Sequence, residues 1–166
     1  MKSKRLNIAI VAHDARKKEL IEWCLYNADV LKQHNLFATG TTGKLIKEIE
    51  TEGIVLEDVI IGQSDFPFKD NVTVLLSGPL GGDQQIGAMI AEGKLDVLIF
   101  FCDNLITQGH QQDVGALTRL ASLYNIAFAT NRTTADMIIT SSLFGNEEYQ
   151  RIIPATIDNY KKRILK

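Results

Sequence analysis

The sequence predicts an α/β protein: a doubly wound, Rossmann-like sheet of about five parallel strands flanked by helices, in a single domain over residues 1–166. Three observations carry that prediction. Short β-branched runs alternate with longer amphipathic stretches, as in βα units wound on a parallel sheet. The runs NIAIVA, VTVLL and DVLIFF lack polar alternation, which suits strands covered on both faces. A chain of 166 residues, 45% hydrophobic and 23% charged, is long enough to bury one core without disulfides or metals.

The elements follow in order. Residues 7–12 form the first buried strand, and Leu20, Cys24, Ala28 and Leu31 recur at helical spacing, which predicts a helix over residues 17–33. Residues 36–38 make a second short strand, ending in the loop Thr39-Gly40-Thr41-Thr42-Gly43, with a helix over 44–50. From 51 to 71 glycines, Pro67 and acids interrupt short apolar runs such as 59–61, so the segment reads as an insertion after the second strand-helix unit. Residues 72–76 form the next strand, 77–82 a turn, and 83–92 a helix with Ile86, Met89 and Ile90 on one face. Residues 96–101, the most apolar run, are expected as the central strand. A loop over 102–112 precedes a helix with Val114, Leu117, Leu120, Ala121 and Tyr124 as its inner stripe. A fifth strand over 126–129, a short helix over 134–140 and a last helix from Pro154 complete the chain.

Charge and cysteine content exclude several classes of function. A net charge of −2, with cations and anions interspersed, is unlike the basic footprint of a nucleic-acid binder. The basic group Lys161, Lys162, Arg163 and Lys166 reads as the end of a helix, where the dipole favours cations. Cys24 and Cys102 show no CxxC spacing and fall in or beside apolar elements, which suits a reducing cytoplasm. The apolar stretch after the N-terminus is only a strand long and runs into His13 and Asp14, so neither a signal peptide nor a membrane span is expected.

In open parallel sheets, ligands bind outside the carboxyl ends of the strands. The chemically unusual residues all follow predicted strands: His13 and Asp14, residues 39–43, 77–83 and 103–113, and Thr130 with Asn131. The loop from Thr39 to Gly43 offers glycines, hydroxyl donors and the amides of a helix N-terminus, a combination suited to phosphate. It is not a Walker loop, because Ala38 stands where the first glycine belongs and Leu45 replaces the Ser or Thr. The plainer alternative is a helix cap and turn. Asp83, after Ser77-Gly78-Pro79-Leu80-Gly81-Gly82, reads by itself as a helix cap. Its company at one sheet edge, His110, Asp103, Asp113, His13 and Asp14, points instead to acid-base work. Lys17, one turn further on, is an anion contact or a solvated charge. A lone His among scattered carboxylates, with no thiolate pair and no HExxH, gives no reason to expect a metal.

Four stretches resemble the methylglyoxal synthase family: AHDARK (12–17), HNLFATGTTGKLI (34–46), LSGPLGGDQQIGAMIAEGKLDVLIFF (76–101) and ALTRLASLYNIAFATN (116–131). The resemblance implies a cofactor-free lyase in which Asp83 takes a proton from the hydroxymethyl carbon of dihydroxyacetone phosphate and phosphate leaves by elimination. It implies that His110 polarises the carbonyl and shuttles a proton, with Asp113 and Asp103 in support. His13, Asp14, Lys17, Thr39, Gly40, Thr41, Thr42, Ser77 and Gly78 are then expected to hold the substrate and its phosphate. A homohexamer inhibited by phosphate is implied too, with Arg163 matching an arginine that reaches a neighbouring subunit. Proton removal beside a carbonyl needs a base, an electrophile and a phosphate grip, and the residues offer a candidate for each.

The chain departs from the family pattern at the insertion, at Asn104 where a proline is usual, and at Gly109-His110-Gln111-Gln112-Asp113 where PHDPD is common. Two stiffening prolines are thereby lost from the histidine loop. Two rivals share the fold or the intermediate. One is a non-catalytic effector-binding domain like that of carbamoyl phosphate synthetases, and the other is a phosphosugar isomerase that retains phosphate.

Overall fold

Strand β1, Asn7–Ala12, is the middle of a five-stranded, all-parallel sheet. The computed structural model describes residues 3–48, 54–56, 59–61, 66–107 and 109–164. On one side β1 pairs with β2, Asn35–Thr39, which pairs in turn with β5, Val72–Leu75. On the other side it pairs with β6, Val97–Phe101, which carries β7, Ala127–Ala129, at the far edge. The chain therefore winds outward in one direction from β1 and then, from β6, in the other. The fold is the expected single-domain doubly wound α/β sheet, with β6 interior and β1, rather than β6, at the centre.

Alternation along the buried strands divides the core in two. Ile8 and Ile10 of β1 pack on one face with α1 (Lys17–Tyr26), α2 (Ala28–Leu31), α3 (Gly40–Glu48) and α6 (Arg132–Ile139). Ala9 and Val11 pack on the other, beneath α4 (Gly82–Ala91) and α5 (Gln111–Leu123). Adjacent residues of a strand point to opposite faces, so one short apolar run feeds both cores. Across the first layer, Trp23 Nε1 donates to Asp136 Oδ1 at 2.8 Å and ties α1 to α6.

Several boundaries differ from expectation for local reasons. The helix expected over 17–33 breaks at Asn27, whose side-chain amide and backbone N–H both donate to the Trp23 carbonyl, at 2.9 and 3.1 Å. An Asn that takes a helix carbonyl with its own side chain competes with continuation of the ladder. Helix α3 begins at Gly40, so the Thr-Gly stretch read as a loop is the first turn of a helix. Residues 49–50 of that expected helix lie outside the described residues. Helix α6 starts earlier than expected because Asn131 Oδ1 accepts the Thr134 amide at 2.9 Å and caps it. The last helix, α7, runs over Ala155–Ile164.

The insertion holds an antiparallel pair, β3 (Ile54–Leu56) with β4 (Val59–Ile61); residues 51–53, 57–58 and 62–65 lie outside the described residues. Its final part returns to the core: Phe66 and Phe68 are fully buried, with ring centroids 5.5 Å apart in an edge contact. That portion is a structural part of the domain. Phe68→Ala is expected to lower the unfolding free energy by about 3–5 kcal/mol, as for other buried aromatics, read by urea denaturation.

Candidate active site

The reversal of winding between β1 and β6 opens a cleft at the carboxyl ends of the strands, with a volume of about 470 Å³. Of the residues expected there, His13, Asp14, Lys17, Thr39, Gly40, Thr41, Ser77, Gly78, Asp83 and His110 line it. Thr42 is buried and does not. Asp113 instead joins Asp83 in a separate groove between α4 and α5. Thr130 and Asn131 are absent from the cleft wall, and Asn131 serves as the cap of α6.

Asp83 enters the cleft from the first turn of α4 and is only 2% exposed. His110, the residue before α5, places Nδ1 at 2.7 Å from Asp83 Oδ2, a hydrogen bond in which the imidazole donates when its proton is on Nδ1. The other oxygen, Oδ1, is buried and has no hydrogen-bond partner among the described residues. One carboxylate oxygen is thus anchored and the other left clear. Potential ligand atoms of Asp83, His110 and Asp113 all lie within 4.8 Å of one another. The 2.7 Å contact closes two of them on each other as a hydrogen bond, whereas ligands about 2 Å from a zinc ion stand further apart.

His13 follows β1, and its backbone N–H continues the ladder onto the Phe101 carbonyl at 3.1 Å. Its Nδ1 accepts the Asp103 amide at 2.9 Å. That bond places the ring proton of the neutral form on Nε2, which is buried and without a hydrogen-bond partner among the described residues. Burial, reinforced by the nearby His110, holds the His13 pKa below its ordinary 6.5 despite the opposing pull of Asp103 and Asp83. The two imidazoles meet edge to face with centroids 5.7 Å apart. Asp103 acts here through its backbone, while its carboxylate Oδ1 accepts the Leu105 amide at 3.1 Å and shapes the loop.

The other side of the cleft is the first turn of α3, whose leading amides, as at any helix N-terminus, have no partner within the helix. Gly40 has φ +50°, and a Cβ there would stand 2.9 Å from Ser77 Cβ, so only glycine lets the two loops touch. At Gly78 a Cβ would stand 3.0 Å from both Asp83 Oδ1 and His110 Cε1, filling the space above the pair. At the mouth Lys17 pairs with Asp14, and that ammonium, by hydrogen bond and charge, keeps the Asp14 carboxyl below its usual range.

Sequence reasoning missed two contributors. Phe100 lines the cleft and packs edge-on against His13 at 5.1 Å, a role hidden inside an apolar strand run. Gln85 Oε1 accepts the Leu76 amide at 2.9 Å and latches the end of β5 to α4; its presence in the SGPLGGDQQ stretch was the only signal.

The family model described as "MGS-like domain" matches residues 19–130. A methylglyoxal synthase of Maridesulfovibrio salexigens is 51% identical over 149 residues, which are 90% of this chain and 91% of that one. One of Yersinia enterocolitica is 46% identical over 158 residues, 95% of this chain and 89% of the relative. The crystal structure of methylglyoxal synthase from Elizabethkingia anophelis NUHP1 superposes with a TM-score of 0.77 at 42% identity, covering 96% of this chain and 91% of that one. With relatives this similar along nearly its whole length, the chain belongs to the methylglyoxal synthase family.

Proposed function

We propose that the chain converts dihydroxyacetone phosphate to methylglyoxal and inorganic phosphate without metal or cofactor. The observation that carries this reading is the Asp83–His110 pair, joined at 2.7 Å in a cleft whose opposite wall is the N-terminal turn of α3. The phosphate binds at the start of that turn, at Thr39, Gly40 and Thr41, with Ser77 and Gly78 beside it. Lys17 exchanges Asp14 for the incoming anion. This grip supplies the energy that positions the reacting carbon.

Asp83 is the base. A C–H bond is a poor hydrogen-bond donor, so an oxygen that must accept its proton has to be free of other donors, and Oδ1 is. The electron pair released from the hydroxymethyl carbon moves to the carbonyl oxygen. There the Nε2–H of neutral His13 and the imidazole of His110 meet the developing charge. The enediolate then expels phosphate: the hydroxyl on the deprotonated carbon gives its proton to His110 and becomes a carbonyl, the double bond shifts to the phosphate-bearing carbon, and the carbon–oxygen bond breaks with its electrons leaving on the phosphate. The remaining enol takes a proton at carbon, which His110 relays, and becomes methylglyoxal. Asp103 and Asp113 support the two histidine loops.

The same reading places the protein in the cytoplasm as a homohexamer inhibited by phosphate, with Arg163 at a subunit boundary. In support of the address, no helix among the described residues is long and apolar enough to cross a membrane. Cys24 and Cys102 are free and buried, and burial pushes the Cys102 thiol up to about 11.

Purified protein, treated with a chelator, is expected to release methylglyoxal and phosphate in equal amounts from dihydroxyacetone phosphate, and to elute on light scattering at six times 18.5 kDa. Asp83→Asn is expected to lower kcat by about 10²–10⁴-fold with the far-ultraviolet spectrum unchanged. Phosphate binding without turnover would replace this reading with the regulatory one, and formation of glyceraldehyde 3-phosphate with the isomerase. Gly78→Ala is expected to lower kcat by about tenfold or more while KM changes less, because its Cβ crowds Asp83 and His110 rather than the phosphate. Nuclear magnetic resonance titration of His13 should give a midpoint below 6.5. Below pH 6.5 the unfolded chain binds the proton more readily, so His13 contributes stability above that pH which is lost as the pH falls through its folded value.

A further inference from the structure

At the edge of the sheet opposite the catalytic cleft, the amino ends of β1, β6 and β7 border a second cavity of about 210 Å³. Its apolar wall comes from Leu6, Val97, Ala127, Ile138, Leu143 and Phe144. Most polar groups of the lining are already engaged. Asp96 Oδ2 accepts the Asn7 amide at 2.8 Å, Asn125 Nδ2 donates to the Ile152 carbonyl at 3.0 Å, and Ser141 Oγ accepts the Leu143 amide at 3.2 Å.

Arg151 is different. Its Nη1 donates to the Leu95 carbonyl at 3.1 Å, which fixes the guanidinium in place, while Nε is buried and has no hydrogen-bond partner among the described residues. The side chain is part-buried and lines the cavity, so its positive charge is held at a fixed place on the wall. The lining sets two cations, Lys4 and Arg151, against the single carboxylate of Asp96, which favours an anionic acceptor. A water would satisfy the N–H and leave the apolar wall uncovered. A cavity of about 150 Å³ holds a benzene molecule, so this one has room for a body of that size with an acidic group attached.

We infer that the cavity is a binding site for a small organic carboxylate with an apolar body, its carboxylate on Arg151 and its body against Leu143 and Phe144. The recognition pattern, an apolar concave wall with one or two fixed polar groups, is that of a small-molecule site. The site is distinct from the cleft: β1 and β6 each run from one to the other, ending at His13 and before Asp103.

Isothermal titration of the full chain with benzoate and with 3-methylbutanoate tests this, with 3-methylbutan-1-ol as the uncharged counterpart and inorganic phosphate as the ion of the cleft. At least one carboxylate is expected to bind saturably, to bind equally well with phosphate present, and to outbind the alcohol. Arg151→Gln should weaken that binding by about tenfold or more while turnover of dihydroxyacetone phosphate stays unchanged. Ala127→Ile, which fills the cavity and keeps the charge, should weaken binding as much, and it decides the question if Arg151→Gln does not fold. Absence of saturable binding, competition with phosphate, or binding that survives both substitutions would overturn the assignment.

Discussion

The side-by-side pairing of β1 with β6 is the constraint on which the rest of the molecule depends. Five register pairs, from Ile8 with Val97 to Ala12 with Phe101, hold these two strands together. From them the chain leaves in opposite directions, so no helix covers the carboxyl edge between them. The ladder then runs on into the site: the His13 amide meets the Phe101 carbonyl, and the Asp103 amide meets the His13 ring. Main-chain geometry thereby sets both the position and the protonated nitrogen of a buried imidazole. A slip of one residue in this register would turn His13 to the opposite face.

Much of this was legible because the physics is local. An unbroken apolar run such as NIAIVA must be covered on both faces, and its neighbours in the chain carry helical periodicity, so the fold class follows from patterning. Strand β1 is predicted to the residue, since polar Asn7 and His13 bracket it. The convergence of His13, Asp83 and His110 follows from the rule that parallel strands present their carboxyl ends together, and the structure brings all three to one cleft.

What was not legible depends on competition between nearly equal alternatives. Asn27 breaks a helix that periodicity carries through it, because its amide wins the Trp23 carbonyl. The Thr-Gly stretch looks like a loop by composition, yet it forms a helical turn once Gly40 takes a positive φ against Ser77. Asp103 and Asp113 carry the same residue type as Asp83 but do not line the cleft. Only tertiary placement separates a carboxylate that shapes a loop from one that faces the cleft. Phe66 and Phe68 sit in a stretch whose sequence has no period, so their burial has no signature in the chain.

The two cores described for the fold also divide the proposed labour. Lys17 and the first turn of α3 belong to the layer of α1, α3 and α6, whereas Asp83 and His110 are carried by α4 and α5 on the opposite face of the sheet. A phosphosugar bound as proposed would span the sheet edge like a bolt through two plates, with its leaving group on one plate and its acidic carbon on the other. Breaking the bond between them would part the molecule along the boundary between the plates. The phosphate rests on a helix end that favours it, and the neutral three-carbon product is left with no anionic handle to retain it. Under the proposed reaction, the layer that holds each end would set the order of departure, carbon fragment first and phosphate second.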